Sequence, residues 1–226
     1  MTERESSPSP ASTRAERALA TRRRVMEAAY RLLSERGYGG TTMDAVAAEA
    51  GVAVQTVYFI FHTKRELLQA AYELAVLGPD GTPPHLTEWW RAAEAEPDVS
   101  KAVAGLVEGS LEVYRRAAPL VCAVHRDEDA RPAYEFNEGL RREGYAQMLA
   151  FLSRKHPLRD GLTKPKARDI LLTLLGPHVF FVLTTELGWS EREFGRWVAA
   201  AILRELFGIE SDAAVQPRPR ERAARR

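Results

Sequence analysis

A chain of 226 residues with 45% hydrophobic and 28% charged side chains can bury a core, as one large domain or a small one joined to a medium one. Its net charge of +1 points to no polyanionic partner by itself, and the single Cys122 excludes an intrachain disulfide and a cysteine-based zinc site. The charge is unevenly placed: residues 1–70 carry 10 Lys/Arg against 8 Asp/Glu, residues 71–212 carry 17 against 22, and the last 14 carry 5 against 1.

Residues 1–13 are rich in Ser, Pro and Thr, which predicts a disordered arm, and they lack the apolar core of a secretory signal. A helix is predicted from about Arg14 to Arg36, with Val25, Ala28, Ala29, Leu32 and Leu33 on one face and Gly37 closing it. Arg14, Arg17, Arg22, Arg23 and Arg24 near its start face only Glu16, a pattern for a solvated basic face or for phosphate contact. Thr41 to Leu68 is the most informative stretch. Met43, Val46, Ala47 and Ala50 fall at i, i+3, i+4 and i+7, one apolar helix face. Gly51 stands where the chain must reverse closely, and Val52, Val57 and Ile60 return apolar side chains toward the first short helix. Small Ala47 lets the two helices approach. That is a helix-turn-helix, whose second helix fits the ~12 Å wide major groove of B-DNA.

Thr63 and Glu66 predict a capping box opening a helix that continues through Leu67, Leu68, Ala71, Tyr72 and Ala75. GPDGTPP at 78–84 is turn chemistry and predicts a boundary. Beyond it only helical patterns follow: near Leu86–Glu94, Asp98 to Arg116, a short piece Pro119 to Asp127, Pro132 to Lys155, Pro165 to Leu187 and Ser190 to Phe207. Gly176-Pro177 is expected to bend the fifth of these. Because Ile170 to Leu187 is interrupted there, it reads as a buried helix and not a membrane span. A soluble, cytoplasmic protein with no membrane partner is expected. Residues 209–226 predict a mobile basic tail.

Several residues together resemble the TetR family of bacterial transcriptional regulators: Gly37-Tyr38, Thr41-Thr42, Ala47, Ala50-Gly51-Val52, Thr56-Val57-Tyr58, Phe61, Lys64 and Leu67. The resemblance covers the N-terminal quarter closely and the remainder in layout only. It implies an all-α fold. A three-helix DNA-binding domain with a helix-turn-helix would occupy 14–62, and a connecting helix 63–77. A larger helical ligand-binding and dimerisation domain would occupy 78–208, with about nine to ten helices in all. It also implies a homodimer on a palindromic operator, usually a repressor, released by a small-molecule effector.

The same resemblance assigns Thr42 to a backbone phosphate at the start of helix two, with N-capping as the other role and Thr41 able to share either. Tyr58 matches a phosphate-touching phenol or a half-buried packing residue; Lys64 matches a phosphate-binding cation or a solvated lysine. Thr56 matches a position that meets phosphate or a thymine methyl. Base reading falls to Ala53, Val54, Gln55 and Thr56, where Gln55 alone suits bidentate pairing with adenine and Val54 suits a thymine methyl. Phe59 and Ile60 stand where polar residues are frequent, so Ile60 reads as core and Phe59 as groove contact or packing. With few hydrogen bonders on that face, specificity is expected to lean on phosphate placement and DNA shape.

In the body, Trp89, Trp90, Tyr114, Tyr134, Met148, Phe151 and Phe181 are candidates for an apolar pocket or for plain core, with His125, Asn137 and His178 to orient a ligand. Ile170, Leu174, Phe181, Val198, Ile202 and Leu206 form an apolar stripe expected at a dimer surface, paired as a four-helix bundle. No phosphate loop, metal-spaced cluster or nucleophile–base set can be assembled, so neither catalysis, metal nor cofactor is expected.

Overall fold

The computed structural model describes residues 10–210. They divide into two compact units. One takes the described residues up to Thr82 together with Arg116–Glu138; the other takes Pro83–Arg115 and the described residues from Gly139 onward. The first unit therefore includes 116–138, which the turn chemistry at 78–84 had placed with the body.

In the first unit, α1 (Pro10–Arg36) starts four residues earlier than expected, at a proline whose missing N–H costs nothing at the first helical position. It ends at Gly37, φ +70°, whose N–H donates to the Leu33 carbonyl. α2 (Met43–Ala50) is capped by Thr42, whose Oγ1 accepts from Ala45 N at 3.1 Å. It closes at Gly51, φ +64°, whose N–H reaches the Ala47 and Ala48 carbonyls. α3 (Val54–Ile60) follows after two residues, and α4 (Lys64–Leu77) begins behind Thr63, whose Oγ1 accepts from Glu66 N. The reciprocal arm of the expected capping box differs. Glu66 reaches one residue further back, its Oε2 accepting from His62 N at 3.2 Å, and so satisfies a donor of the α3–α4 turn. Val25, Ala28, Leu32, Val46, Val57, Leu67, Leu68 and Tyr72 form one buried cluster with Leu120, Val121 and Val124.

The second unit opens with a short 3-10 turn, Pro84–Leu86, and α5 (Glu88–Ala95). α6 (Val99–Val124) is continuous where two helices were expected, with Pro119 inside it. Pro119 withholds the N–H that the Arg115 carbonyl would accept. The neighbouring Arg116 carbonyl gains an outside donor, the Tyr30 hydroxyl at 2.7 Å. α7 (Arg131–Lys155) follows, then α8 (Lys164–Leu174) and α9 (Pro177–Phe181). The expected bend at Gly176-Pro177 is a full break: Gly176 is extended (φ −128°, ψ 151°), as the residue before a proline prefers. α9 ends in a wider π turn, 182–186, and α10 (Glu191–Ile202) in another, 203–207. A complete capping box between Ser190 and Glu193 opens α10.

The carbonyls stranded at the α8–α9 break find partners. Arg141 donates to Leu172 O at 2.9 Å, and the hydroxyls of Tyr114 and Tyr145 converge on Leu175 O, Tyr114 at 2.7 Å. Around them Phe180 stacks edge-on against Phe194 and tilts toward Tyr114. Trp89 lies against Gly109 so closely that a Cβ there would stand 2.2 Å from the indole. The segment Lys164–Glu186 has the length and mean hydropathy, 1.4, of a bilayer span. Its helix is interrupted at Leu175–Gly176, with Leu171 and Leu175 in the core.

Candidate nucleic-acid interface

The α2–Gly51–α3 element presents a surface whose chemistry is set by which residues the fold leaves outside. Val57 is fully buried, and Val52, Val54 and Ile60 rest half-buried on the core. Ala53, Gln55, Tyr58 and Phe59 are left exposed, with Phe59 at 83% and Tyr58 at 49%. Phe59 is thus outward-facing, which resolves the alternative between packing and exposure, while Ile60 packs as expected. Val54 turns partly inward, so Gln55 is the amide-bearing side chain on the outer face of this helix.

Thr41 is a correction. It is 1% exposed and its Oγ1 donates to the Gly37 carbonyl at 2.8 Å, tying the α1–α2 turn together from inside. Its hydroxyl is spent there and does not share a surface role with Thr42. Thr42 is exposed and caps α2 with the same oxygen that would face a phosphate, next to the helix's free N–H groups.

Lys64 opens α4 and lies over the Tyr38 ring, Nζ 4.0 Å from its centroid. Burial lowers its pKa below the usual lysine value, and the nearby carboxylates of Asp127 and Asp129 oppose that shift. Asp127 also holds the backbone: its Oδ2 accepts from Gly39 N at 3.0 Å, and its Oδ1 from Asp129 N and Ala130 N. Sequence reading passed over this residue. An Asp two residues before a turn donor is a common local device, and its reach to Gly39 spans 88 positions. At the other end of α3, the Arg22 guanidinium covers the buried Phe61 ring at 4.6 Å.

The residues expected to line an effector pocket are distributed over both units. His125, Tyr134 and Asn137 belong to the first unit; Trp89, Trp90, Tyr114, Met148, Phe151, His178 and Phe181 belong to the second. Asn137 donates its amide to Gln69 Oε1 and Ala133 O, and the His125 ring pairs through Nδ1 with Cys122 O at the end of α6. Trp90, Met148 and Phe151 are core, with Trp90 edge-on to Phe151. An open depression of about 670 Å³ lies elsewhere in the second unit, lined by Leu162, Ile170 and Leu174 together with Arg159, Lys166, Asp169 and Glu205.

The expected dimer stripe also divides. Val198, Ile202 and Leu206 are wholly buried within their own unit and cannot form a surface, a correction that follows from α10 turning its apolar face inward. Ile170, Leu174 and Phe181 remain partly exposed, followed by Val182 and Leu187.

Residues 25–71 match the family model of bacterial regulatory proteins, tetR family. No curated protein matches the chain. Among solved structures it is similar to the transcriptional regulator FadR of Bacillus subtilis in complex with stearoyl-CoA: 15% identity, TM-score 0.65, 80% of this chain and 97% of that one covered. It is similar also to NalD, the secondary repressor of the MexAB-OprM multidrug efflux pump in Pseudomonas aeruginosa: 20% identity, TM-score 0.63, 84% and 98% covered. The multidrug binding protein EbrR complexed with ethidium shares 23% identity, TM-score 0.55, over 82% and 97%. Residues 25–71 thus carry the sequence pattern of bacterial regulatory proteins of the tetR family, and the chain has the all-helical fold of the regulators it is similar to.

Proposed function

We propose that the protein is a cytoplasmic transcriptional repressor that binds a palindromic operator as a homodimer and is released by a small apolar or amphipathic effector. The observation that carries the DNA half is the exposed face of α3, where Gln55, Tyr58 and Phe59 stand outward beside an α2 capped by Thr42 and closed by Gly51. In this reading Thr42, Tyr58 and Lys64 meet phosphates. Gln55 pairs with adenine, and Ala53, Val54, Thr56 and Phe59 supply apolar contacts that favour thymine methyls. Thr41 supports Thr42 from within.

The effector half is supported by the partners of similar structures, stearoyl-CoA for FadR and ethidium for EbrR. An effector works here by binding the DNA-incompetent conformation more tightly, with a coupling of about 1–3 kcal/mol. The homodimer is supported by the apolar residues left partly exposed on α8 and α9, which a two-fold partner would cover.

A second reading is favoured by one observation: the aromatic side chains of the second unit pack on one another. In it, the body docks a protein partner and needs no small ligand. Fluorescence anisotropy on promoter fragments, with and without long-chain acyl thioesters or aromatic cations, separates the two. Binding that is salt-dependent and reversed by a ligand supports the first reading. Ligand-insensitive binding supports the second, and no binding to any fragment at low salt overturns both.

A further inference from the structure

The inward face of α1 changes character part-way along the helix. From its middle onward it carries Val25, Ala28, Ala29 and Leu32, all buried. Traced toward the N-terminus at intervals of four, four and three residues, the same stripe reads Thr21, Arg17 and Arg14. Residues 14–20 and 22–24 are exposed, and Leu19 is 67% exposed. A short helical extension without packing draws little stability from its own hydrogen bonds. Guanidinium groups continuing a core-facing stripe are poor chemistry for packing and good chemistry for a polyanion.

Position supports the same conclusion. Arg22, between Thr21 and Val25, covers the ring of Phe61, the residue that ends α3. The extension therefore departs beside the C-terminal end of the recognition helix, not from the far side of the unit. Arg14, Arg17, Arg22, Arg23 and Arg24 are set against Glu16, with Arg23 paired to Glu27 at 2.9 Å.

We propose that the N-terminal extension of α1 grips the DNA backbone flanking the segment read by α3, through Arg14 and Arg17, as a sequence-independent contact. This rests on the DNA-binding reading above. Each guanidinium displaces condensed counterions from one phosphate, so the contact lengthens the footprint and steepens the salt dependence without adding base specificity.

The test uses the full chain and a duplex enriched from a random pool by the protein itself. The duplex is made in two lengths, ending at the protected core or extended by about one helical turn, about 10 bp, on each side. Wild type should bind the longer duplex about tenfold more tightly at low salt, with a slope of log K against log salt steeper by about 2 per protomer. Arg14→Gln/Arg17→Gln should bind both lengths alike, and Arg14→Lys/Arg17→Lys should restore the difference. Both positions lie outside the core and Gln is a good helix former, so the unfolding temperature should not move. Equal affinity of wild type for both lengths, or an unchanged slope in the Gln variant, overturns the proposal while leaving α3 binding intact. A wild-type protein that binds neither duplex removes the underlying DNA reading as well.

Discussion

Lys64 sits over the ring of Tyr38, and this cation–aromatic contact joins the first turn of α4 to the turn between α1 and α2. The ring shields one side of the ammonium, and the carboxylates of Asp127 and Asp129 oppose the lowering of its pKa by burial. Its charge and its placement are separable. Lys64→Met should weaken binding to specific and random duplexes alike and lower the salt slope by about 1 per protomer. Tyr38→Leu keeps the cation, so it should cost affinity while leaving the slope in place. A Lys64→Met protein with the wild-type slope would remove Lys64 from the phosphate contacts.

Gln55 carries the base-reading prediction because its neighbours on the outer face are Ala53, Tyr58 and Phe59. Gln55→Ala should cost about 1–3 kcal/mol on the selected operator and little on random DNA. Competition binding with both duplexes measures the difference, and equal losses would assign Gln55 to backbone contact.

How much of this was legible in sequence depends on the range of the deciding interaction. Thr42, Gly51 and Thr63 act within four residues, so spacing revealed the Thr63 cap and the Gly51 turn, while Thr42 stayed open between capping and phosphate contact. Pro119 misled because a proline inside a helix removes one hydrogen bond without having to end the helix, and α6 runs on through it. The α10 stripe misled for another reason: periodicity shows that Val198, Ile202 and Leu206 share a face, not whether that face meets its own unit or a second copy. Aromatic content in the body carried the same ambiguity, since Trp90 and Phe151 serve a core and a cavity wall equally well until their packing is seen.

That ambiguity yields a paired test of the dimer surface. Phe181→Arg places a charge on the partly exposed α9 face and should shift sedimentation toward the monomer while leaving helix content unchanged. Ile202→Val trims the buried core and should cost about 0.5–1.5 kcal/mol of stability with no change in mass. The dimer proposal fails if Phe181→Arg sediments as wild type, or if wild type is itself monomeric.

Tyr114 gives the second unit a pH dependence whose sign follows from burial. Its hydroxyl and that of Tyr145 meet the Leu175 carbonyl at the α8–α9 break, and burial pushes the Tyr114 pKa well above its ordinary value of 10.0, with Tyr145 reinforcing the shift. The folded state therefore holds its proton where the unfolded chain releases it. This contribution of Tyr114 is full below about pH 10 and is lost as pH rises beyond it, by up to about 1.4 kcal/mol per pH unit. Tyr114→Phe or Tyr145→Phe alone leaves one hydroxyl for Leu175 and should cost less than the double variant. The double variant strands the carbonyl and should lose about 1–3 kcal/mol at neutral pH. It should also flatten the fall in stability above pH 10, though not abolish it, because buried Tyr72 is shifted in the same direction. Urea unfolding from neutral to strongly alkaline pH measures both effects. An alkaline slope identical to wild type in the double variant would show that Tyr114 contributes nothing to the alkaline loss of stability.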